Sequence, residues 1–274
     1  MITLTTDFGL ADGYVGVMKG VILSIAPTAQ LVDLAHDLPA QDVRRAAFVL
    51  SAAAPFFPPG TVHLAVVDPG VGTSRRALAL RAAGALWVGP DNGLFSYVLA
   101  ESDGWEAVEL SEPAYRLTPM SNTFHGRDLF APAAAHLAMG VPLTAFGPPV
   151  VDPVLLPLPR LAVEASGLEG EVLHADRFGN LVTSIGRLSW EGQALRLRPA
   201  FRRGAADCSF RAASACVEVV GRRLRSICRT YGAVGIGQPL ALVGSSGFLE
   251  IAIRQGSAEQ SLGARPGERV WVGV

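Results

Sequence analysis

Apolar and polar positions along the first half of the chain alternate between short apolar runs and segments with helical spacing. Runs typical of buried strands are ITLTTDF, AQLVDLA, TVHLAVVD, ALALRA and ALWV. Helical spacing occurs at residues 12–26, 39–54, 95–101 and 128–139. We expect Asp12 to cap the first helix and Pro132 to interrupt the last. The alternation predicts an α/β fold whose N-terminal part is a mostly parallel sheet flanked by helices.

The second half of the chain has a different pattern. Residues 147–159, GPPVVDPVLLPLP, hold five prolines, a composition typical of a stiff, extended linker. Short strand-like runs follow, separated by Gly and Pro, and they predict a smaller C-terminal β-barrel. The runs are LEGEVLHAD, NLVTSI, ALRLRPAF, ACVEVVG, LRSICRTY, QPLALVG, FLEIAIR and ERVWVG. The expected domains are 1–150 (α/β) and 163–274 (β-barrel), joined by a Pro-rich linker at 151–162.

Composition narrows the class of protein. Half of the residues are hydrophobic, which indicates a globular chain, and the formal net charge of −1 argues against nucleic acid as a partner. The N-terminal residues MITLTTDFG enter a strand without a basic segment, and no apolar stretch reaches the roughly 18 residues of a membrane span. Three cysteines without CxxC spacing indicate reduced thiols. We therefore expect a cytoplasmic protein without a membrane partner.

Acidic residues follow several of the predicted strands. Asp7 ends ITLTTD, Asp68 ends LAVVD, and Asp91 with Asn92 follows ALWV in GPDNG. A further polar cluster, SNTFHGRD, comes before the helix at 128–139. Ligands of open parallel sheets bind at the carboxyl ends of the strands, so the joint placement favours a site there. Taken singly, each acid also fits ordinary turn chemistry, and an Asp at position 128 also suits a helix N-cap.

The stretch LAVVDPGVGTSR brings an arginine back seven residues after a strand-ending aspartate. Asp68, Arg75 and His125 could form one unit, since a guanidinium keeps a neighbouring carboxylate charged and a histidine can orient water or accept its proton. The sequence has no nucleophile elbow and no HExxH motif. Attack by water is therefore favoured over a covalent intermediate, and either Asp68 or His125 could be the base.

One stretch of the second half is comparable. In HADRFGNLVTSI, Asp176, Phe178 and Asn180 offer a carboxylate, an aromatic face and an amide, which suit an amino acid and a nucleobase. The alternative is an ordinary turn into a strand. Ser246 lies in SSGFLEIAIRQGSA, a stretch whose backbone groups could read the edge of a base.

Several of these segments, in this order, resemble one enzyme family. They are TTDFG at 5–9, VVDPGVGTSRR at 66–76, GPDNGL at 89–94, TFHGRDLFAPAAA at 123–135 and DRFGNLVTSI at 176–185. Together they resemble the S-adenosyl-L-methionine (SAM) hydrolases (adenosine-forming), also called SAM hydroxide adenosyltransferases, which are related to fluorinase and chlorinase. The resemblance covers nearly the whole chain and is weak only at 186–235. It implies hydrolysis of SAM to adenosine and L-methionine without a metal or cofactor. It also implies a homotrimer that binds SAM between the first domain of one subunit and the second domain of its neighbour.

The resemblance also assigns roles to individual positions. Asp68, Arg75 and His125 match the set that handles the attacking water. In the halogenases a tyrosine stands at the place of Asp68 and a halide-binding serine at the place of Gly126, so both departures favour water over halide. The substrate-binding positions that match the family are Asp7 (ribose), Asp176 (methionine end), Asn180 (adenine) and Asp12. From the residues themselves, we also expect Phe124, Phe178 and Ser246 to contact the substrate.

Three other functions remain open at this point. A metal-dependent nucleoside hydrolase also begins with an aspartate-rich strand end, but it needs several carboxylates around Ca²⁺, and only Asp7 and Asp12 are close here. A SAM- or adenosine-binding module without turnover would have no need of the water-handling set. A SAM-dependent halogenase is the third alternative.

Overall fold

The computed structural model describes residues 1–202 and 205–274, and the chain falls into two units, Met1–Pro157 and Leu158–Val274. The first unit holds a six-stranded sheet, and the second holds mainly strands. The domain boundaries expected from the sequence stay a prediction, but the α/β fold class is confirmed. No helix within the described residues has the length and apolar character needed to cross a membrane. All three cysteines are unpaired.

The sheet of the first unit has the strand order β2-β1-β3-β5-β4-β6. Strands β2, β1, β3 and β5 pair in parallel, while β4 runs antiparallel to both of its neighbours. The strands are β1 (Ile2–Thr6), β2 (Leu31–Ala35), β3 (Val62–Val66), β4 (Ala77–Ala82), β5 (Ala85–Pro90) and β6 (Trp105–Glu109). The helices are α1 (Tyr14–Ile25), α2 (Val43–Ala53), α3 (Ser96–Glu101) and α4 (Ala131–Ala138), with a π-helical turn at Gly126–Phe130 before α4.

A hairpin interrupts the β-α-β rhythm that the sequence indicated. Strands β4 and β5 are joined by Ala83 and Gly84, whose φ values are 51° and 74°. Two residues with positive φ form the type of turn whose twist matches a two-residue hairpin. The short AG connection leaves no room for a crossover helix, so β4 is antiparallel.

Two helix details of the sequence prediction were wrong. Asp12 does not cap α1, because Gly13, in a left-handed conformation with φ of 71°, stands between it and the first helical residue. Helix α2 begins at Val43, later than expected, because the Asp42 side chain caps it by accepting from the backbone N–H of Arg45. Pro132 lies in the first turn of α4, directly after the π-helical turn at Gly126–Phe130, so the helical segment changes its hydrogen-bond pattern next to this proline.

The central strands of the first sheet are buried on both faces. On β3, Leu64 and Val66 pack into a core with α1 and α4, while Ala65, together with Val67 directly after the strand, packs into a second core with α2 and α3. Helices thus cover both faces and leave the strand ends as the place where polar side chains can gather.

The second unit is a nearly closed, barrel-like sheet with the strand order β14-β13-β18-β8-β9-β17-β16-β15, and β7 pairs with β8. A separate three-stranded sheet, β10-β11-β12, was not expected. The strands are β7 (Leu161–Glu164), β8 (Gly167–Ala175), β9 (Leu181–Gly186), β10 (Leu188–Glu191), β11 (Ala194–Leu197), β12 (Cys208–Arg211), β13 (Cys216–Val219), β14 (Arg222–Arg225), β15 (Ile227–Cys228), β16 (Pro239–Val243), β17 (Phe248–Ile253) and β18 (Arg269–Gly273), and the helix is α5 (Ala258–Leu262). The expected strand ALRLRPAF ends at Leu197.

Candidate active site

Three acidic residues of the first unit follow the neighbouring parallel strands β1, β3 and β5. They are Asp7, Asp68 and Asp91, in the order in which the chain passes through the sheet. Their strands run in the same direction, so the three acids share one edge of the sheet. The predicted gathering of acids at this edge is therefore present, but the three carboxylates have different partners.

Asp68 is bound by Arg75 through two nitrogen atoms. The Arg75 Nε donates to Asp68 Oδ1 at 2.8 Å and to Oδ2 at 3.0 Å, and Nη2 also donates to Oδ2. Both side chains are largely buried, with exposed fractions of 5% for Asp68 and 10% for Arg75. The guanidinium lies 5.2 Å above the ring of Phe130. A fork-like, buried ion pair of this kind fixes the orientation of both groups.

His125 joins the pair from a distant part of the chain. Arg75 Nη2 donates to His125 Nδ1 at 2.8 Å. Because a guanidinium only donates, Nδ1 is the acceptor and the ring proton of the neutral imidazole is on Nε2. Burial lowers the pKa of His125, the Arg75 charge lowers it further, and the charges of Asp68 and Asp128 act in the opposite direction. The imidazole is therefore neutral near pH 7.

Close packing of two loops brings Arg75 and His125 together. A Cβ on Gly72 would meet the backbone oxygen of Asn122 at 2.4 Å, and the φ of Gly72 is 77°. The loop that carries Arg75 can thus lie directly on the loop that leads to His125 only with glycine at this position. Thr73 tightens the first loop by donating its hydroxyl to Gly70 O at 2.7 Å.

Asp128 closes the second loop and does not cap a helix. It lies inside the π-helical turn, is 1% exposed, and accepts from the backbone N–H of Ser121 at 2.7 Å and from Arg127. Gly126, in the same turn, is crowded: a Cβ would lie 3.1 Å from Met18 Sδ and 3.2 Å from the ring of Phe124. The backbone that presents His125 is thus held from both sides.

An aromatic cluster borders this edge of the sheet. Phe8, Tyr14 and Phe124 pack edge to face, with ring centroids of Tyr14 and Phe124 5.1 Å apart. The half-buried Asp7 accepts from the backbone N–H of Gln41 at 2.8 Å, whereas Asp12 is exposed. Phe124 and Asp7 thus lie on the loops around Asp68 and His125, and Asp12 lies in the exposed turn before α1.

Asp91 and Asn92 serve the structure of the first unit. Asp91 is bound by Arg76 Nε at 2.8 Å and accepts from the backbone N–H of Val154 at 2.7 Å. Arg76 also binds Asp152, in the proline-rich segment. Asn92 donates to Val67 O at 2.8 Å and so ties the ends of β5 and β3 together. Two adjacent arginines therefore have different tasks.

In the second unit, the Asp176 carboxylate is used within its own turn. Its Oδ1 accepts from the backbone N–H groups of Phe178 at 2.8 Å and Asn180 at 2.9 Å, and its Oδ2 accepts from Asn180 Nδ2 at 3.0 Å. The turn packs on Ser257, since a Cβ on Gly179 would lie 2.1 Å from Ser257 Oγ. The ring of Phe178 stands at the tip, 77% exposed. Ser246 lies half-buried in the turn between β16 and β17.

Within residues 1–202 and 205–274, no group of three or more His, Cys, Asp or Glu side chains is arranged to hold a metal ion. The carboxylates at the sheet edge instead face arginines or backbone N–H groups.

Two family models match most of this sequence. The SAM hydroxide adenosyltransferase N-terminal domain matches residues 2–147, and the SAM hydroxide adenosyltransferase C-terminal domain matches residues 170–271. The chain belongs to the SAM hydroxide adenosyltransferase family. The family expected from the sequence motifs is thereby confirmed.

Individual relatives agree with the family models. A protein of Thermus thermophilus named (R)-S-adenosyl-L-methionine hydrolase is 45% identical over 96% of this chain and 95% of its own length. A fluorinase of Nocardia brasiliensis is 31% identical over 70% of this chain and 73% of its own. The crystal structure of an uncharacterized conserved protein from Thermotoga maritima superposes with a TM-score of 0.87 at 36% identity, covering all of both chains.

The sequence reasoning missed one polar group of this SAM hydroxide adenosyltransferase. Thr6 and His36, at the ends of β1 and β2, share a buried hydrogen bond, and His36 also contacts Asp33. The signal available was the histidine directly after the predicted strand AQLVDLA.

Proposed function

We propose that this enzyme hydrolyses SAM to adenosine and L-methionine, with water as the nucleophile at ribose C5′. The observation that carries the proposal is the buried Asp68–Arg75–His125 group at the end of β3, in a chain related over nearly its full length to a protein named (R)-S-adenosyl-L-methionine hydrolase. Such a group suits one held water far better than it suits a halide, since the Asp68 carboxylate repels an anion.

The reaction is a displacement with a good leaving group. The water oxygen forms a bond to C5′ while the C5′–S bond breaks, and its electron pair goes to the sulfonium sulfur. Sulfur becomes the neutral thioether of methionine, and the former water oxygen becomes the 5′-hydroxyl of adenosine after losing a proton. The protein contributes by holding the water in line with the C5′–S bond, which replaces a bimolecular encounter by a positioned one.

Hydrogen-bond directions favour Asp68 as the group that receives the proton. His125 Nδ1 already accepts from Arg75, so the ring offers water only the Nε2–H donor. Asp68 Oδ1 accepts only from Arg75 Nε and so retains a second lone pair, whereas Oδ2 accepts from both Nε and Nη2. In this proposal His125 orients the water through Nε2–H, Asp68 Oδ1 accepts its proton, and Arg75 holds the Asp68 carboxylate and the His125 ring in their orientations.

We propose that the remaining positions bind the substrate. Asp7, half-buried beside the Asp68 strand, would accept from the ribose hydroxyls, and Phe124 would line the same edge. Asp176 would bind the methionine end and Asn180 the adenine, with the exposed Phe178 ring as a stacking surface. Asp12 is assigned to substrate binding on family resemblance alone, and Ser246 because the backbone groups of its turn could read the edge of a base.

We further propose a cytoplasmic homotrimer that needs no cofactor. Support for a covered surface comes from each unit separately: Leu10, Tyr14 and Val17 of the first unit and Phe178 of the second are exposed apolar side chains. Light scattering of the purified protein tests the assembly. A mass of three chains supports it, and a monomer that turns over SAM would contradict it.

Labelled water tests the reaction. The purified protein is incubated with SAM in ¹⁸O-water, in the presence of EDTA, and the products are analysed by mass spectrometry. We expect adenosine that carries ¹⁸O at the 5′ position, with an equal amount of methionine. Binding of SAM without formation of adenosine would favour a binding module. Formation of adenosine only after a metal ion is added back would favour the metal-dependent alternative. A 5′-chloro product in chloride buffer would favour a halogenase.

A further inference from the structure

A chain of hydrogen bonds runs from the surface to the end of β1. Lys19 Nζ, the only lysine nitrogen in the sequence, donates to Asp33 Oδ2 at 2.6 Å. Asp33 Oδ1 lies 3.1 Å from His36 Nε2, and His36 Nδ1 lies 2.8 Å from Thr6 Oγ1. The exposed fraction of the side chain falls from 43% at Asp33 to 3% at His36, and Thr6 is fully buried. The network therefore ends in the interior, next to Asp7.

The direction of each bond follows from the chemistry of its ends. A carboxylate only accepts, so His36 Nε2–H donates to Asp33. In the tautomer whose single ring proton is on Nε2, Nδ1 accepts and the Thr6 hydroxyl donates to it. The hydroxyl oxygen accepts in turn from the backbone N–H of Phe8 at 3.3 Å. The hydrogen-bond network therefore ends at the peptide that joins Asp7 to Phe8.

A second set of bonds holds the same turn from its other side. Gly9 N–H donates to His36 O at 2.8 Å, and the backbone N–H of Gln41 donates to Asp7 Oδ2, also at 2.8 Å. The segment 36–41 thus contacts the turn 7–9 at both ends. His36 is part of both sets, because its ring and its carbonyl bind different residues of the turn.

We infer that Thr6 and His36 are positioning residues that fix the Asp7 carboxylate for the two vicinal hydroxyls of the ribose. The inference rests on the proposed role of Asp7 in binding that sugar. The side chains act through the Asp7–Phe8 peptide and touch no substrate atom. A carboxylate favours a ligand with hydroxyl groups over a ligand without them only when the carboxylate is held in a fixed orientation. A mobile carboxylate forms hydrogen bonds with water instead.

The test is the preference of the enzyme for adenosine over 2′,3′-dideoxyadenosine, each measured as an inhibition constant. In Thr6→Val, which keeps the shape but loses the hydroxyl, we expect the preference to fall by about fivefold, the effect of one hydrogen bond. Thr6→Ser, which keeps the hydroxyl, is the matched control and should retain the preference. A network that only stabilises the fold would weaken both ligands equally and leave the ratio unchanged, and that result would overturn the inference.

Two more variants keep the result unambiguous. If Thr6→Val does not fold, Asp33→Ala decides, because Asp33 is near the surface: a lowered preference supports the inference and an unchanged one overturns it. Asp7→Asn tests the assumption beneath it. If Asp7→Asn keeps the parent preference, the ribose role in the proposed function fails, whereas loss of preference in Asp7→Asn but not in Thr6→Val rejects only the positioning network.

Discussion

Asp68 in the first unit and Asp176 in the second both follow a strand, and both belong to motifs that indicated a site. The partners of Asp176 lie within the next four residues, and two of its three bonds are to backbone N–H groups. In the Asp68 group the partners are side chains: Arg75 lies 7 residues after Asp68, and His125 lies 50 residues after Arg75. A carboxylate whose hydrogen-bond partners lie in its own turn mainly shapes that turn. A carboxylate that is bound by an arginine side chain of another segment belongs to a charged site that forms only when the chain folds.

The largest expected effect separates the two adjacent ion pairs of the first unit. Asp68→Asn removes the proposed proton acceptor, and we expect kcat to fall by about 10²- to 10³-fold with KM changed by less than about threefold. Asp91→Asn is the matched control, since Asp91 pairs with the neighbouring Arg76. It should lower the melting temperature and leave kcat near the parent value. Equal losses of kcat in both variants would contradict a direct role of the Asp68–Arg75 pair in the reaction.

The next largest effect is expected where the Gly72 loop contacts the Asn122 loop. In Gly72→Ala, the added Cβ cannot coexist with the Asn122 oxygen 2.4 Å away, so the loops must separate and Arg75 must move relative to His125. We expect a fall in kcat of about tenfold to a hundredfold, the scale of a misplacement near 1 Å.

Gly84→Ala controls for backbone strain in that experiment. Its φ of 74° is close to that of Gly72, but a Cβ there meets nothing within 4 Å, and it lies in the β4–β5 hairpin. It should cost stability alone, visible as a lower melting temperature at unchanged kcat. Unchanged kcat in Gly72→Ala would show that the contact does not position the site.

A smaller effect is expected at the tip of the Asp176 turn. Phe178→Ala removes a ring that is 77% exposed, so the melting temperature should not change. Loss of a stacking surface for the base should raise KM for SAM by about tenfold. Phe56→Ala, which removes a ring 78% exposed in the first unit, should change neither quantity. An unaltered KM in Phe178→Ala would confine this turn to a structural role.

The smallest effect concerns pH. Because burial and the Arg75 charge lower the pKa of His125 below its ordinary 6.5, the ring is neutral above that pH and kcat should be flat there. Protonation at lower pH places a cation against Arg75 and removes the Nδ1 acceptor, so kcat should fall only below pH 6.5. In His125→Gln this acid limb should move to lower pH. A limb centred above pH 6.5 in the parent enzyme would contradict the assignment.

Unfolding must be separated from that limb. Burial lowers the pKa of His63, on β3, to about 4. The unfolded chain binds this proton more readily, so stability is lost as the pH falls from 6.5 towards 4. Far-UV circular dichroism at each pH therefore shows where the kinetic profile still reports the folded enzyme.

Local patterns predicted much of the fold. The strands β1, β2 and β3 and the helices around them followed from the spacing of apolar residues, and the acids after them followed from the strand ends. The β4–β5 hairpin was not foreseen, because Ala83 is not a residue whose type signals positive φ. Asp12 was misassigned as a cap, since Asp before a helix is a statistical signal that Gly13 overrides. The Thr6–His36 bond joins two strands that only pairing in the sheet makes neighbours.

The sequence by itself determined which residues could carry chemistry and at which edge of a sheet they would lie. Periodicity and turn residues act within a few positions, and that range is enough to end a strand at Asp68 and to close the turn at Asp176. Only the tertiary structure decided that Arg75 binds Asp68 while Arg76 binds Asp91, and that Arg75 also reaches His125. Those choices depend on which loops pack together, and Gly72 against Asn122 shows the reason: the contact exists only where a missing side chain lets two distant backbones meet.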